Sequence, residues 1–525
     1  MVQSRTQQLV KMHSASYLIY FLIVFVGLLG YLFRKAKKTY NYWTEHGVPS
    51  ENNTHLLYGN LKESILLKKS DAEVYGEFYQ KFKKRGLKHG GVYFYSRPTW
   101  ILVDLDLIKT VLISDFQYFA AHNPMYLNTI FFNNLFHMQG EQWKDMRRKL
   151  APTFTSGKMK MMFNILLEKT HGLADLVADM ASTGEATEIK ELVARFTTDV
   201  IGSCGFGIEC DSLNDVNSTF FQHGQNIFKK LTPKAAPKFY KLILLSLGLM
   251  KRFNINLDET EAFFRKLVED TVKYREENKI VRKDFLHLMI QIKNNGTITD
   301  ILNDSDIFIK SRDESGLSME EMVGECLFFM AGFETSSTTL SFVFLELSRN
   351  QSIQEKLRKE IHTVLEKYNG TVSYDSLQEM TYCECVINET LRKYPPLASL
   401  PRICTKDYTV PGSDVLIEKN TMVVIPLLAL HNDPDYFLEP EKFIPERFSA
   451  KNGKIPFIYM PFGEGPRQCL GLRFGVMQVK AAIATLLNRY NFTLDKKTPY
   501  PPKFTPGSPV LSVEEGVWVR ATKVK

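Results

Sequence analysis

A chain of 525 residues is longer than one hydrophobic core usually organises, yet it shows no internal repeat, low-complexity tract or evident linker, so one large domain plus an appendage is expected. Apolar residues make up 44% and charged residues 24%, which excludes a disordered or fibrous chain. The surplus of 66 basic over 58 acidic residues is mild and dispersed, and fits an acidic partner or an anionic membrane surface rather than nucleic acid.

Residues 15–33 read ASYLIYFLIVFVGLLGYLF without a charge, close to the roughly 20 residues a helix needs to cross a bilayer. Arg34, Lys35, Lys37 and Lys38 follow, against only Arg5 and Lys11 before the stretch. The positive-inside rule then places everything downstream in the cytoplasm. A cleaved signal peptide would need a small-residue cleavage site, which is missing, and the basic cluster on the other flank. The expected organisation is a polar extension (1–14), a transmembrane anchor (15–33), a basic linker (34–60) and a folded domain (61–525).

Further along, Val92–Tyr95 and Thr99–Val103 flank Ser96-Arg97-Pro98 and predict a β-hairpin. A short helix is expected over Asp106–Ile113 and another over Gln142–Leu150. In the latter, Trp143 and Arg147 stand four apart and share a face. Residues 237–249, PKFYKLILLSLGL, are apolar but too short to span a membrane; they read as a segment dipping into its face or as a buried helix. Glu320–Asn350 is long, apolar and proline-free, and predicts a core helix. Within it, Thr335 follows Ala331 by four residues on one side, and Gly332 lets a small ligand approach the backbone. A mid-helix threonine also tends to bond back to the preceding turn's carbonyl.

Glu389 and Arg392 meet at i,i+3 on a helix that Pro395-Pro396 stop. Leu472–Asn488 reads as another core helix, and the tail ending in Val517–Arg520 as a small sheet. The seven cysteines form an odd set without secreted-scaffold spacing, which predicts reduced thiols. Cys383-Glu-Cys385 lacks the second pair a zinc site would need.

One stretch organises the rest: Pro461-Phe-Gly-Glu-Gly-Pro-Arg-Gln-Cys-Leu-Gly471. A lone cysteine, Cys469, sits among Gly465, Arg467 and Gly471, just before a helix whose dipole favours a negative sulfur. Such a thiolate suits a haem iron, and an arginine two residues away could reach an anionic group on the same ligand. A glycine-rich loop with a structural cysteine is the plain alternative. Phe462, Gly465, Arg467, Cys469 and Gly471 fit Phe-x-x-Gly-x-Arg-x-Cys-x-Gly without a gap, and here the chain resembles the cytochrome P-450 family of haem-thiolate monooxygenases.

The resemblance extends over about residues 40–525 and includes Ala331-Gly-Phe-Glu-Thr335, Glu389-Thr-Leu-Arg392 and Pro445-Glu-Arg-Phe448. It implies a mainly α fold with small β-sheets behind the N-terminal transmembrane helix. Cys469 would be the axial thiolate of haem b, cradled by Phe462, Gly465, Arg467 and Gly471. Trp143, Arg147 and Arg402 would meet the haem propionates. Thr335 and Glu334 would deliver protons to bound dioxygen beside Ala331 and Gly332, while Glu389, Arg392 and Arg447 would form a buried structural network.

The implied reaction inserts one atom of O2 into a lipophilic substrate, with electrons from NADPH through cytochrome P-450 reductase and with cytochrome b5 as a further partner. The implied location is the cytoplasmic face of the endoplasmic reticulum, with the reductase docking near Arg148 and Lys149. The wording of the motifs is nearest the insect microsomal branch that handles foreign compounds and plant toxins. Two features depart from the family: the hinge keeps only Pro49 of several usual prolines, and His122 stands where some relatives carry arginine. Two rivals are a haem-thiolate isomerase or dehydratase of peroxides, whose relatives often lose the acid–alcohol pair, and a haem-bound ligand carrier.

Overall fold

The computed structural model describes residues 37–51, 53–122, 130–233, 257–296, 298, 316–453 and 455–524, with scattered positions between 20 and 34. Most of the expected anchor (15–33) and the whole 237–249 segment lie outside the described residues. Among those described, no helix is long and apolar enough to cross a membrane. Tyr20, Ile23, Val26 and Tyr31 are helical and exposed.

Helix α1 (Asp71–Lys84) starts from a capping box in which Ser70 and Glu73 satisfy each other's backbone N–H groups. The expected hairpin follows as β1 (His89–Phe94) and β2 (Arg97–Leu102), antiparallel, with Val92 opposite Thr99. Its turn is tighter than the sequence predicts, so Arg97 and Pro98 belong to β2. Pro98 is tolerated there because β2 pairs with its second neighbour only from Thr99 onward. The helix expected from Asp106 begins at Leu105, because Asp104 caps it by accepting the Leu107 N–H at 3.0 Å. It then widens into a π-type turn over Thr110–Ser114.

Helices α2 (Gly140–Leu150), α3 (Ser156–Thr183), α4 (Ile189–Ile201), α5 (Thr219–Leu231), α6 (Asp258–Glu277) and α7 (Phe285–Asn295) build the helical body, with β3 (Thr187–Glu188) between α3 and α4. Through it runs α8 (Met319–Arg349), opened by a capping box of Ser318 and Glu321. It packs against α4, α6, α7, α9 (Gln351–Lys367), α10 (Thr381–Lys393) and α11 (Leu472–Leu487).

Between α10 and α11 lie β4 (Leu400–Ile403), β5 (Tyr408–Thr409), β6 (Leu416–Ile417) and β7 (Met422–Ile425). The main sheet runs β1-β2-β7-β4, with β2 and β7 parallel; β8 (Tyr490–Leu494) and β9 (Trp518–Lys523) complete a second sheet with β3. One apolar core fills the helical body and another, around Trp43 and Trp100, backs the main sheet. Asp433 ties the sheet side to α1 by accepting hydrogen bonds from Tyr79 and Lys83.

Candidate active site

Gly465 has φ +73°, and a Cβ there would lie 2.1 Å from the Leu112 carbonyl oxygen, so both conformation and space demand glycine. The turn closes when the Cys469 N–H donates to the Phe462 carbonyl at 2.9 Å. Gly471 is the N-cap residue of α11, so Cys469 sits just before the positive end of that helix. The thiol opens onto a large interior cavity while lying deep beneath the protein surface. Burial pushes its pKa up; the Gly471 N–H and the Arg147 guanidinium pull the other way by favouring the thiolate.

The cavity holds about 1900 Å³, well beyond the space one drug-sized ligand needs. Phe462, Gly471, Trp143, Arg147, Arg402 and Arg467 line it beside Cys469. Arg147 donates from Nη1 to the Gln468 carbonyl at 2.9 Å. Arg402 is buried; its Nη1 bonds the Pro401 carbonyl at 2.9 Å and His122 Nδ1 at 3.2 Å, while its Nε has no hydrogen-bond partner among the described residues. Arg467 packs under Trp143, its guanidinium 4.3 Å from the ring centre.

Burial lowers Arg402 to about 10; burial first, then the neighbouring Arg402 and Arg147 charges, bring Arg467 to about 9. Three clustered guanidiniums with an orphaned buried N–H, facing a cavity that also shows a thiol, fit a large dianionic ligand with a soft metal. Haem, with its two propionates, meets that description.

Arg467 differs from the sequence expectation in its partners. Its Nε and Nη groups donate to the carbonyls of Ala120 (2.8 Å), Leu135 (2.8 Å) and Met138 (2.6 Å), so it chiefly braces the loop before α2. His122 stacks flat on Phe136 and accepts from Arg402, and burial together with the Arg402 and Arg467 charges holds its pKa well below the usual imidazole value.

On α8, the residues facing the cavity are Glu325, Phe328, Phe329, Ala331, Gly332, Thr335, Ser336 and Thr339, a stripe at helical spacing. The Thr335 hydroxyl donates back to the Ala331 carbonyl at 3.0 Å. A Cβ on Gly332 would stand 3.1 Å from Ile201 Cδ1, so its bareness also lets α8 pack on α4. Glu334 lies off the stripe. Its carboxylate pairs with Lys190 of α4 at 2.8 Å, and Lys190 also donates to Thr338 at 2.6 Å. Glu334 and Lys190 line a separate pocket of about 410 Å³ with Glu188.

Behind the site, Glu389 and Arg392 are fully buried and paired through two hydrogen bonds of 2.8 and 2.9 Å. Arg447 joins Glu389 Oε1 at 3.3 Å, and the Ile444 N–H bonds the same oxygen at 2.9 Å. Arg392 also donates to the carbonyls of His431 and Pro440. Every face of this ion pair is therefore occupied, as a buried charge requires.

Sequence reasoning did not single out Lys190 or Glu325. Lys190 carries no local signal, since only the tertiary fold brings α4 beside Glu334. Glu325 could have been found by extending the Ala331–Thr335 face backward in steps of three and four. Of the two basic residues expected to meet a partner, Arg148 is 77% exposed, whereas Lys149 is 10% exposed and pairs with Asp145 at 2.8 Å.

The Cytochrome P450 family matches residues 49–517. Cytochrome P450 6a2 of Drosophila melanogaster is 38% identical over 518 residues, covering 97% of this chain and 99% of the relative. Cytochrome P450 6k1 of Blattella germanica is 39% identical over 491 residues, covering 91% and 92%. Probable cytochrome P450 6a14 of Drosophila melanogaster is 38% identical over 520 residues, covering 96% and 100%. Match length, the cysteine loop opening on the cavity and the threonine-bearing stripe of α8 converge on one conclusion: this chain belongs to the cytochrome P450 family and is a haem-dependent monooxygenase that uses O2.

Proposed function

We propose that the protein hydroxylates or epoxidises lipophilic compounds, whether foreign chemicals, plant toxins or endogenous lipids and hormones, using electrons that reach it from NADPH through cytochrome P450 reductase. One observation carries this reading: the Cys469 thiol and the Ala331–Thr335 face of α8 line a single cavity whose other walls are largely apolar. In this reading residues 15–33 anchor the chain in the endoplasmic reticulum and cytochrome b5 is a second donor. The four-part division at 14, 33 and 60 belongs to the same proposal.

Cys469 would hold the iron of haem b, with Arg147 and Arg402 toward its propionates and Trp143 and Arg467 fixing the loop above them. Haem supplies the one-electron and oxygen chemistry when bound. The protein's part is to exclude water with the apolar wall, to stabilise the thiolate through the Gly471 N–H and the α11 terminus, and to move protons. The Thr335 hydroxyl, parked on the Ala331 carbonyl, is a proton donor on that face of the cavity. Glu334, which grips Lys190 in the other pocket, would resupply it by a side-chain rotation.

The test is reconstitution with haem in a bilayer. A thiolate-type ferrous carbonyl spectrum and NADPH- and reductase-dependent product are expected from a lipophilic panel. Turnover of a hydroperoxide alone would favour the isomerase rival, and tight binding without product under any donor the carrier.

A further inference from the structure

Glu325 is a carboxylate with unusual company. It is 2% exposed, begins the cavity-facing stripe of α8, and among the described residues forms no ion pair. Among the described residues its carboxylate accepts one hydrogen bond, from the Leu135 N–H to Oε1 at 2.6 Å. The cavity's other lining carboxylate, Asp71, is bonded by the Ser64 hydroxyl, and Glu334 has Lys190. Around Glu325 the wall is aromatic: Phe131, Phe132, Phe136 and Phe328 line the same cavity, and the Phe136 and Phe328 rings stack at 5.9 Å.

A buried carboxylate lacking a cation is costly, and its pKa rises to about 8: burial raises it, the Leu135 N–H pulls it back, and the Glu321 charge adds a smaller rise. Arg467 grips the Leu135 carbonyl while Glu325 holds the Leu135 N–H, so that residue stands between them. Aromatic faces attract cations, and a carboxylate among them completes a cation-binding box.

We propose that Glu325 and its aromatic neighbours form a subsite for a cationic nitrogen, a protonated or quaternary amine carried on an otherwise apolar substrate. The inference rests on the reading of this cavity as a monooxygenase site and names the substrate class. Glu325 precedes Ala331 by six residues, about 9 Å along the helix. The amine is thus held roughly two turns from the oxygen-handling face, and oxidation falls on carbons at that distance rather than beside the nitrogen.

The experiment compares 4-phenylbutyltrimethylammonium, which cannot coordinate iron, with its neutral tert-butyl carbon isostere. Both are titrated into the full-length holoenzyme by calorimetry and by haem spin-state shift. The wild type should prefer the ammonium. Glu325→Gln keeps an oxygen for the Leu135 N–H and should lose on the order of thirtyfold in ammonium affinity, the lower end for cutting a buried charge pair, with isostere affinity unchanged. Glu325→Asp should retain part of the preference.

Equal affinities for the two ligands in the wild type would overturn the proposal. So would a preference surviving in Glu325→Gln, or an equal loss of both ligands, which is the mark of a merely structural clasp. Absence of a thiolate-type carbonyl spectrum in the wild type would sink the broader reading instead, while calorimetry would still report on the subsite.

Discussion

The two sides of α8 and the cysteine loop handle charge in opposite ways. Behind the site, Glu389, Arg392 and Arg447 form a network in which the carboxylate accepts from two guanidiniums and a backbone N–H. Facing the cavity, Arg402 keeps an unpartnered Nε and Glu325 has only a neutral amide. The first region is finished by the polypeptide alone. The second turns polar groups toward the cavity, where in the proposed reading an anion would meet Arg402 and a cation Glu325. A scaffold closes its own valences, whereas a binding site leaves them open for what it binds.

The sharpest way to break that contrast is at the sulfur. Cys469→Ala should abolish the thiolate-type ferrous carbonyl spectrum and all monooxygenation; an unchanged spectrum would remove the ligand assignment. Next comes the finished region. Glu389→Ala strands Arg392 and Arg447 without their carboxylate and should cost about 3–5 kcal/mol, seen as a lower denaturation midpoint with or without haem.

Arg402→Leu sharpens the comparison because its sign depends on the ligand. It removes an orphaned buried N–H, so the haem-free protein should be no less stable. The haem-loaded protein should lose about 1.5–3 kcal/mol of ligand binding, measured as faster haem transfer to an acceptor. Equal losses in both states would mean that Arg402 belongs to the scaffold.

Thr335→Ala should shift stability by only about 1 kcal/mol, since the back-bond to Ala331 is a local one, yet divert electrons to peroxide at the expense of product. Undiminished coupling would count against its proton role. Smallest in stability is Arg148→Ala, within about 0.5 kcal/mol, with slower reductase-supported turnover at low salt. Lys149→Ala should do the reverse, because that side chain is withdrawn into contacts with Asp145 and the Gly316 carbonyl.

Much of the site was legible because its geometry is local. The glycines around Cys469, the four-residue step from Ala331 to Thr335 and the three-residue step from Glu389 to Arg392 each fix a shape within one or two turns. What was not legible depends on distant chain. Arg467 braces three carbonyls some 330 to 350 positions earlier, contacts that nothing in the cysteine motif announces. Lys190 reaches Glu334 across 144 positions, and nothing near either residue announces the other. The hairpin was readable from its two aromatic and β-branched runs around Ser96-Arg97-Pro98, but not the parallel seam of β2 with β7, because β7 is its partner only in three dimensions.

That parallel pairing carries a consequence for biosynthesis. Thr99 zips to Met422, so the outer edge of β2 has no mate until most of the polypeptide has been made. At roughly 5–20 residues per second the wait runs from about a quarter of a minute to a full one. During it an apolar ribbon stands with unmatched amides, open to stray strands. A nascent chain of this design must be sheltered, and its yield in cells should respond to chaperone supply more than to any change at the catalytic pocket.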